Sequence, residues 1–159
     1  MASLQISREE MLKRVAHFRD LVPNDYKAMK GGDLVDQNML RGFTLIGRIT
    51  STNPPAIAGD HGFTIAIQKV QPGYSVSLHS HKMVEVFIPV SGKWKFFWGE
   101  NGEEEVELGP LDAISFPAGL MEGFRNIGNE EGTLLVVLGA PDIGEVTYYK
   151  NEKAAEATV

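Results

Sequence analysis

Between residues 43 and 140 the chain is cut into short β-type runs, each closed by a turn. The runs read FTLIGRIT, FTIAIQKV, YSVSLHSH, VEVFIPV, KWKFFW, EEVEL, DAISFP, GFRNIG and TLLVVLGA. Between them stand NPP, AGDHG, QPG, SGK, GENGE, LGP, PAG and GNEEG. Glycine reaches backbone conformations that other residues resist, and proline presets a turn. Many short strands at regular spacing predict an all-β sandwich or barrel. No helical run separates them, so a parallel sheet built on crossover helices is not expected. A chain of 159 residues is one domain by size and can bury a core without staples.

The flanks read differently. Ser7-Arg8-Glu9-Glu10 is a capping box, in which a serine serves the free N–H groups and a glutamate reaches back. Met11, Val15, Phe18 and Leu21 or Val22 recur at helical spacing, and Pro23 ends the segment. This predicts an N-terminal α-helix from about residue 8 to about residue 20, packed on the outside of the main domain. Residues 23 to 42 form a connector rich in Gly, Asp and Asn. Asn151 to Val159 is a polar, alanine-rich tail expected to fray. The expected organisation is helix and connector over 1–40, a β-barrel domain over 41–150, and a tail over 151–159.

The chemistry concentrates in GYSVSLHSHKMVEVFIPVSG, from Gly73 to Gly92. His79 and His81 stand two apart, and Glu85 follows four later. Residues two apart in a strand point to the same side. The two imidazoles are therefore expected to converge, with Glu85 reaching the same point from the next strand. Two imidazoles and a carboxylate form a ligand set that suits non-haem iron and related divalent ions. Strict alternation also places Ser75 and Ser77 on the histidine face and Tyr74, Val76 and Leu78 on the other. That second face would point outward and need a cover, either the helix, a second sheet or another subunit.

This stretch resembles the first motif of the cupin family, G-x5-H-x-H-x3-E-x6-G. Gly73, His79, His81, Glu85 and Gly92 match each fixed position and gap. A second cupin motif, approximately G-x5-P-x-G-x2-H-x3-N, is similar to LDAISFPAGLMEGFRN. Pro117, Gly119 and Asn126 match; Leu111 stands in place of the first glycine, and Glu122 in place of the last histidine. The resemblance implies a double-stranded β-helix, a jelly-roll of two antiparallel sheets. It implies a divalent metal cofactor (Fe, Mn, Ni or Zn) and dioxygenase, decarboxylase or isomerase chemistry on a small organic molecule. It also favours a homodimer with paired sheets.

Glu122 occupies the position of a metal ligand, and three roles stand open. It is the fourth ligand beside His79, His81 and Glu85, making a formally neutral site and favouring harder ions such as manganese or ferrous iron. Or it is a catalytic general base beside a three-ligand set, its pKa raised by burial. Or the metal site has decayed and the pocket is a non-catalytic binding or sensing module. His17 on the helix and His61 in AGDHG read as surface residues. Trp94, Phe96 and Trp98 share one strand face, with Lys93 and Lys95 on the other. Arg125 is a weak candidate carboxylate anchor, since its alternation with Phe124 suits solvent equally well.

Composition narrows the classes. There is no cysteine, so disulfides, thiolate nucleophiles and cysteine zinc sites are excluded. A net charge of −6 with scattered Lys and Arg argues against nucleic acid or anionic membrane as a partner. The N-terminus carries no apolar run of secretory type, and no later segment reaches membrane-spanning length. The expectation is a cytoplasmic protein that binds a small molecule.

Overall fold

The computed structural model describes residues 3–26, 35–49 and 51–149. Its strands are β1 (Leu40–Ile46), β2 (Thr64–Val70), β3 (Ser75–Ser80), β4 (Glu85–Ser91), β5 (Trp94–Trp98), β6 (Glu104–Leu108), β7 (Ile114–Phe116), β8 (Glu122–Asn126), β9 (Gly132–Leu138) and β10 (Thr147–Tyr148). They form two five-stranded sheets, in the orders β1-β2-β9-β4-β7 and β10-β3-β8-β5-β6. Every strand pairing within them is antiparallel. This is an all-β sandwich, as the turn spacing predicts, in the jelly-roll form that the motif resemblance implies. The chain changes sheet between β3 and β4, so the two histidines and Glu85 approach one another across the interior.

The strands alternate because each has one face inside. β9 runs buried, half-buried, buried along its length, placing Leu134, Val136 and Leu138 inward. Phe87 from one sheet meets Phe96 and Phe124 from the other, each at 5.3 Å between ring centroids. Burying each such ring stabilises the fold by about 2–3 kcal/mol. Trp94 and Phe96 are fully buried and Trp98 packs against the same core. On the outer face Lys95 pairs with Glu105 at 2.7 Å and Lys93 with Glu107 at 2.6 Å. The predicted division of that strand holds.

The histidine strand departs from strict alternation. Val76 pairs with Phe124 and His79 with Glu122, so β3 spends three residues where β8 spends two. This is a β-bulge with one extra residue. It turns Val76 and His79 to the same side, while Ser75 and Ser77 are exposed. The expected face of Ser75, Ser77 and His79 is thus overturned, because the bulge reverses parity between Val76 and His79. Tyr74 and Val76 pack on the core instead of facing outward, and Leu78 lies beside Phe97 at the Gly102 turn. The outward apolar face that called for a cover, whether helix, second sheet or subunit, is not present on this strand.

The N-terminal helix is shorter than its periodicity suggests. α1 covers Arg8–Leu12, capped as expected by Ser7 and Glu10, and a 3-10 turn follows at Phe18–Asp20. None of its residues is buried; Met11 and Leu12 remain about half exposed. Five residues provide too few hydrogen bonds to repay nucleation unless the apolar stripe packs on something. The segment touches the barrel instead through Phe18, whose ring meets Phe43 edge-on at 5.0 Å. β1 begins at Leu40, inside the stretch read as connector, and β10 follows the last anticipated strand. The tail 151–159 lies outside the described residues.

The motif residues outside the histidine cluster serve turns. Asn126 is fully buried, and its amide donates to Val70 O at 2.8 Å and Glu130 O at 2.9 Å while accepting from Gly128 N. Gly92 has φ +93, and a Cβ there would lie 2.9 Å from Gly132 Cα. Leu111, standing where the cupin pattern has glycine, adopts φ 72 with its side chain 85% exposed. A branched side chain in the left-handed region is strained and gains nothing here from burial. Leu111→Gly should therefore raise unfolding stability by about 1 kcal/mol. Chemical denaturation checks this, and a loss of stability would contradict it.

Candidate metal centre

Four side chains are brought together. His79 lies in β3 and Glu122 opposite it in β8; His81 lies on the connection and Glu85 opens β4 in the facing sheet. Each offers one donor atom, and the four atoms lie within 4.8 Å of one another. Their exposures are 7% for His79, 5% for His81, 4% for Glu85 and 2% for Glu122. His79 Nδ1–H donates to Ser77 O at 2.8 Å. That bond fixes the tautomer and leaves Nε2 to face the cluster. Tyr148 stacks on the His79 ring, with centroids 6.0 Å apart and planes 28° apart.

The electrostatics are those of a site short of positive charge. His81 Nε2 lies 3.0 Å from Glu85 Oε2, close in distance but not in hydrogen-bond geometry. Glu85 Oε2, Glu122 Oε2 and His81 Nδ1 are all buried without a hydrogen-bond partner. Burial and the neighbouring Glu85 push the Glu122 carboxyl well above its ordinary range. Burial also acts to raise Glu85, but His81, Glu122 and His79 outweigh it and hold Glu85 low. Burial and the adjacent His81 lower the His79 imidazole, opposed by Glu85 and Ser77. With no metal present, Glu85 carries the charge and Glu122 keeps its proton. Two imidazoles and two carboxyl groups within this span suit one divalent ion of intermediate or hard character. Such an ion would balance both carboxylates and engage the orphaned oxygens.

The cluster opens on a cavity of about 70 Å³. His79, His81 and Glu85 line it, with apolar walls from Val76, Phe87, Phe124, Val136 and Leu138. Glu122 is not among the lining residues. Three donors thus face the cavity while the fourth completes the cluster away from it. The remaining candidates stay apart. His17 is exposed, and the His61 ring meets Gly59 O. Arg125 is exposed and its Nε–H donates to Gly73 O at 3.1 Å. The sequence reading missed Tyr26, Gln68 and Tyr148, which also line the cavity. Only the parity of Gln68, which shares a strand face with the buried Thr64, Ala66 and Val70, signalled any of them.

Three comparisons with known proteins bear on the family. The family model described as a cupin domain matches residues 66–138. Protein SchB from Streptomyces halstedii is 30% identical over 138 residues, covering 80% of this chain and 91% of the relative. Among solved structures, the polyketide cyclase RemF from Streptomyces resistomycificus superposes with a TM-score of 0.65 at 20% identity, covering 91% of both chains. The DMSP lyase DddQ from Ruegeria pomeroyi gives a TM-score of 0.56 at 21% identity, over 68% of this chain and 51% of that one. Among the described residues no helix is long and apolar enough to cross a membrane.

The two carboxyl groups make a signed prediction for metal-free protein. Glu122 is raised from an ordinary value of 4.5, so its stabilising effect is full below that pH and is lost as pH climbs through the raised value. Glu85 and His79 are lowered, so their contributions are lost on the acid side, as pH falls. Below about pH 6.5 the His79 gain offsets the Glu122 loss, so the Tm of metal-free protein should decline as pH rises above about 6.5, and added Mn2+ or Zn2+ should flatten that decline. A Tm that holds constant or rises to pH 8 without metal would contradict this.

Proposed function

Because the chain belongs to the cupin family, we propose that it is a metal-dependent enzyme acting on a small carbonyl-bearing molecule. His79, His81, Glu85 and Glu122 would hold the ion. The observation that carries the reading is the buried set of four donors, three of which face a mostly apolar cavity. A divalent ion there supplies Lewis-acid polarisation of a carbonyl oxygen. Val76, Phe87 and Phe124 exclude water from the bound molecule and flatten its space. Glu122, away from the cavity, would complete the ligand set and set the charge of the cluster.

Within the family chemistries expected from the motif (dioxygenase, decarboxylase, isomerase), all need a polarised carbonyl or enolate. Enolisation next to a carbonyl is the step this site suits. Ring closure of a polyketone begins with the same step, and RemF, similar along nearly the whole chain, is a polyketide cyclase. Metal-loaded protein should speed deuterium exchange at the carbon between the two carbonyls of benzoylacetone. Binding without faster exchange would instead support the second reading, a non-catalytic binding module. That reading draws on the upward shift of Glu122 beside a lowered Glu85, which leaves the pair with a single charge when no ion is bound.

Substitution separates the roles of Glu122. As a ligand, Glu122→Gln should weaken metal retention at least about tenfold, read by elemental analysis after dialysis, and His79→Ala should do the same. Unchanged metal content with lost exchange activity would make Glu122 the base. We also propose a cytoplasmic homodimer. The exposed Leu4, Met11 and Leu12 of the N-terminal segment offer it an apolar surface. Light scattering at the 17.5 kDa monomer mass would remove that proposal.

A further inference from the structure

The cavity has a second polar pole. Gln68 lines it from β2, and its Oε1 is buried with no hydrogen-bond partner. A lost hydrogen bond at a buried amide is costly, so an orphaned oxygen on a residue that lines a cavity points to a partner arriving from outside the chain.

Register locates this pole relative to the cluster. Thr64, Leu138 and Glu85 lie on one rung across β2, β9 and β4. Gln68, Leu134 and Pro89 lie on another rung, four residues further along the strands. Four residues correspond to roughly 13 Å at the usual strand rise. The rung between them holds Ala66, Val136 and Phe87, all buried and apolar. Beside Gln68 in β1 is Gly42. Its missing side chain admits the Tyr26 hydroxyl, which a Cβ at that position would overlap. The Tyr26 ring thus closes the far end of the cavity next to the Gln68 amide.

We infer that Gln68 holds a hydroxyl group at the end of the ligand remote from the His/Glu cluster. A hydroxyl both donates and accepts, so it serves the amide in either orientation. The inference rests on the carbonyl-binding reading of the cluster and narrows the substrate class. The ligand is a flat molecule with a carbonyl function at one end, an apolar middle over Val136 and Phe87, and a hydroxyl at the other end. A hydroxyphenyl diketone has this layout.

Two probes test it with metal-loaded protein: benzoylacetone and its para-hydroxyphenyl counterpart, 1-(4-hydroxyphenyl)-1,3-butanedione. Wild-type protein should bind the hydroxylated probe about tenfold tighter. In Gln68→Leu that preference should vanish while benzoylacetone binding is retained. Ligand-free Gln68→Leu should also melt higher than wild type, since an orphaned polar group has been replaced by an apolar one. An undiminished hydroxyl preference in Gln68→Leu overturns the inference alone. An unchanged or lower Tm shows that the amide already has a partner within the protein, and overturns it as well. If wild-type protein binds neither probe, the carbonyl-binding reading falls and the inference falls with it.

Discussion

One extra residue in β3 determines the interior of this protein. In a regular ladder the partner of Glu122 would be Leu78, since Val76 already pairs with Phe124. Both histidines would then point away from the barrel. The bulge between Val76 and His79 puts an imidazole opposite Glu122 instead. It also lets Val76 and His79 share the cavity wall, so that the apolar lining and the polar cluster meet. Bulges recur next to active sites because they re-aim a side chain without breaking the sheet. The change of sheet between β3 and β4 then supplies Glu85 from the opposite wall.

Given that placement, the electrostatics follow from burial. Two carboxyl groups in a dry site cannot both ionise cheaply, and one retains its proton. Glu122 is the one raised, while Glu85 is held low by His81, Glu122 and His79. A divalent ion would remove the conflict by matching both charges at once. The exchange of histidine for glutamate at position 122 thus changes the balance of the whole cluster: a bound divalent ion would be formally neutral instead of singly positive.

Much of the architecture was legible in the residues. The Gly/Pro punctuation marked most of the strands, and the spacing of His79, His81 and Glu85 marked the site. What stayed hidden depends on contacts between distant segments. Strand parity was misread at Ser75 and Ser77 because nothing local announces a bulge between two well-formed strand halves. The helix stopped at Leu12 because periodicity records an apolar stripe but not whether anything lies against it. Gln68 and Tyr148 carried no motif; their place in the cavity comes from register with β9 and from pairing with β3. Leu111 was visible as a departure from the family pattern, and its positive φ shows that the backbone kept the conformation for which glycine is used.

The central claim is that these four side chains share one divalent ion. Crystals grown with Mn2+ and measured with anomalous scattering at the manganese edge test it most directly. The account predicts a single strong peak bonded to donor atoms of His79, His81, Glu85 and Glu122, with open coordination toward the cavity. A peak elsewhere, or ordered side chains with no peak among them at saturating metal, would contradict it.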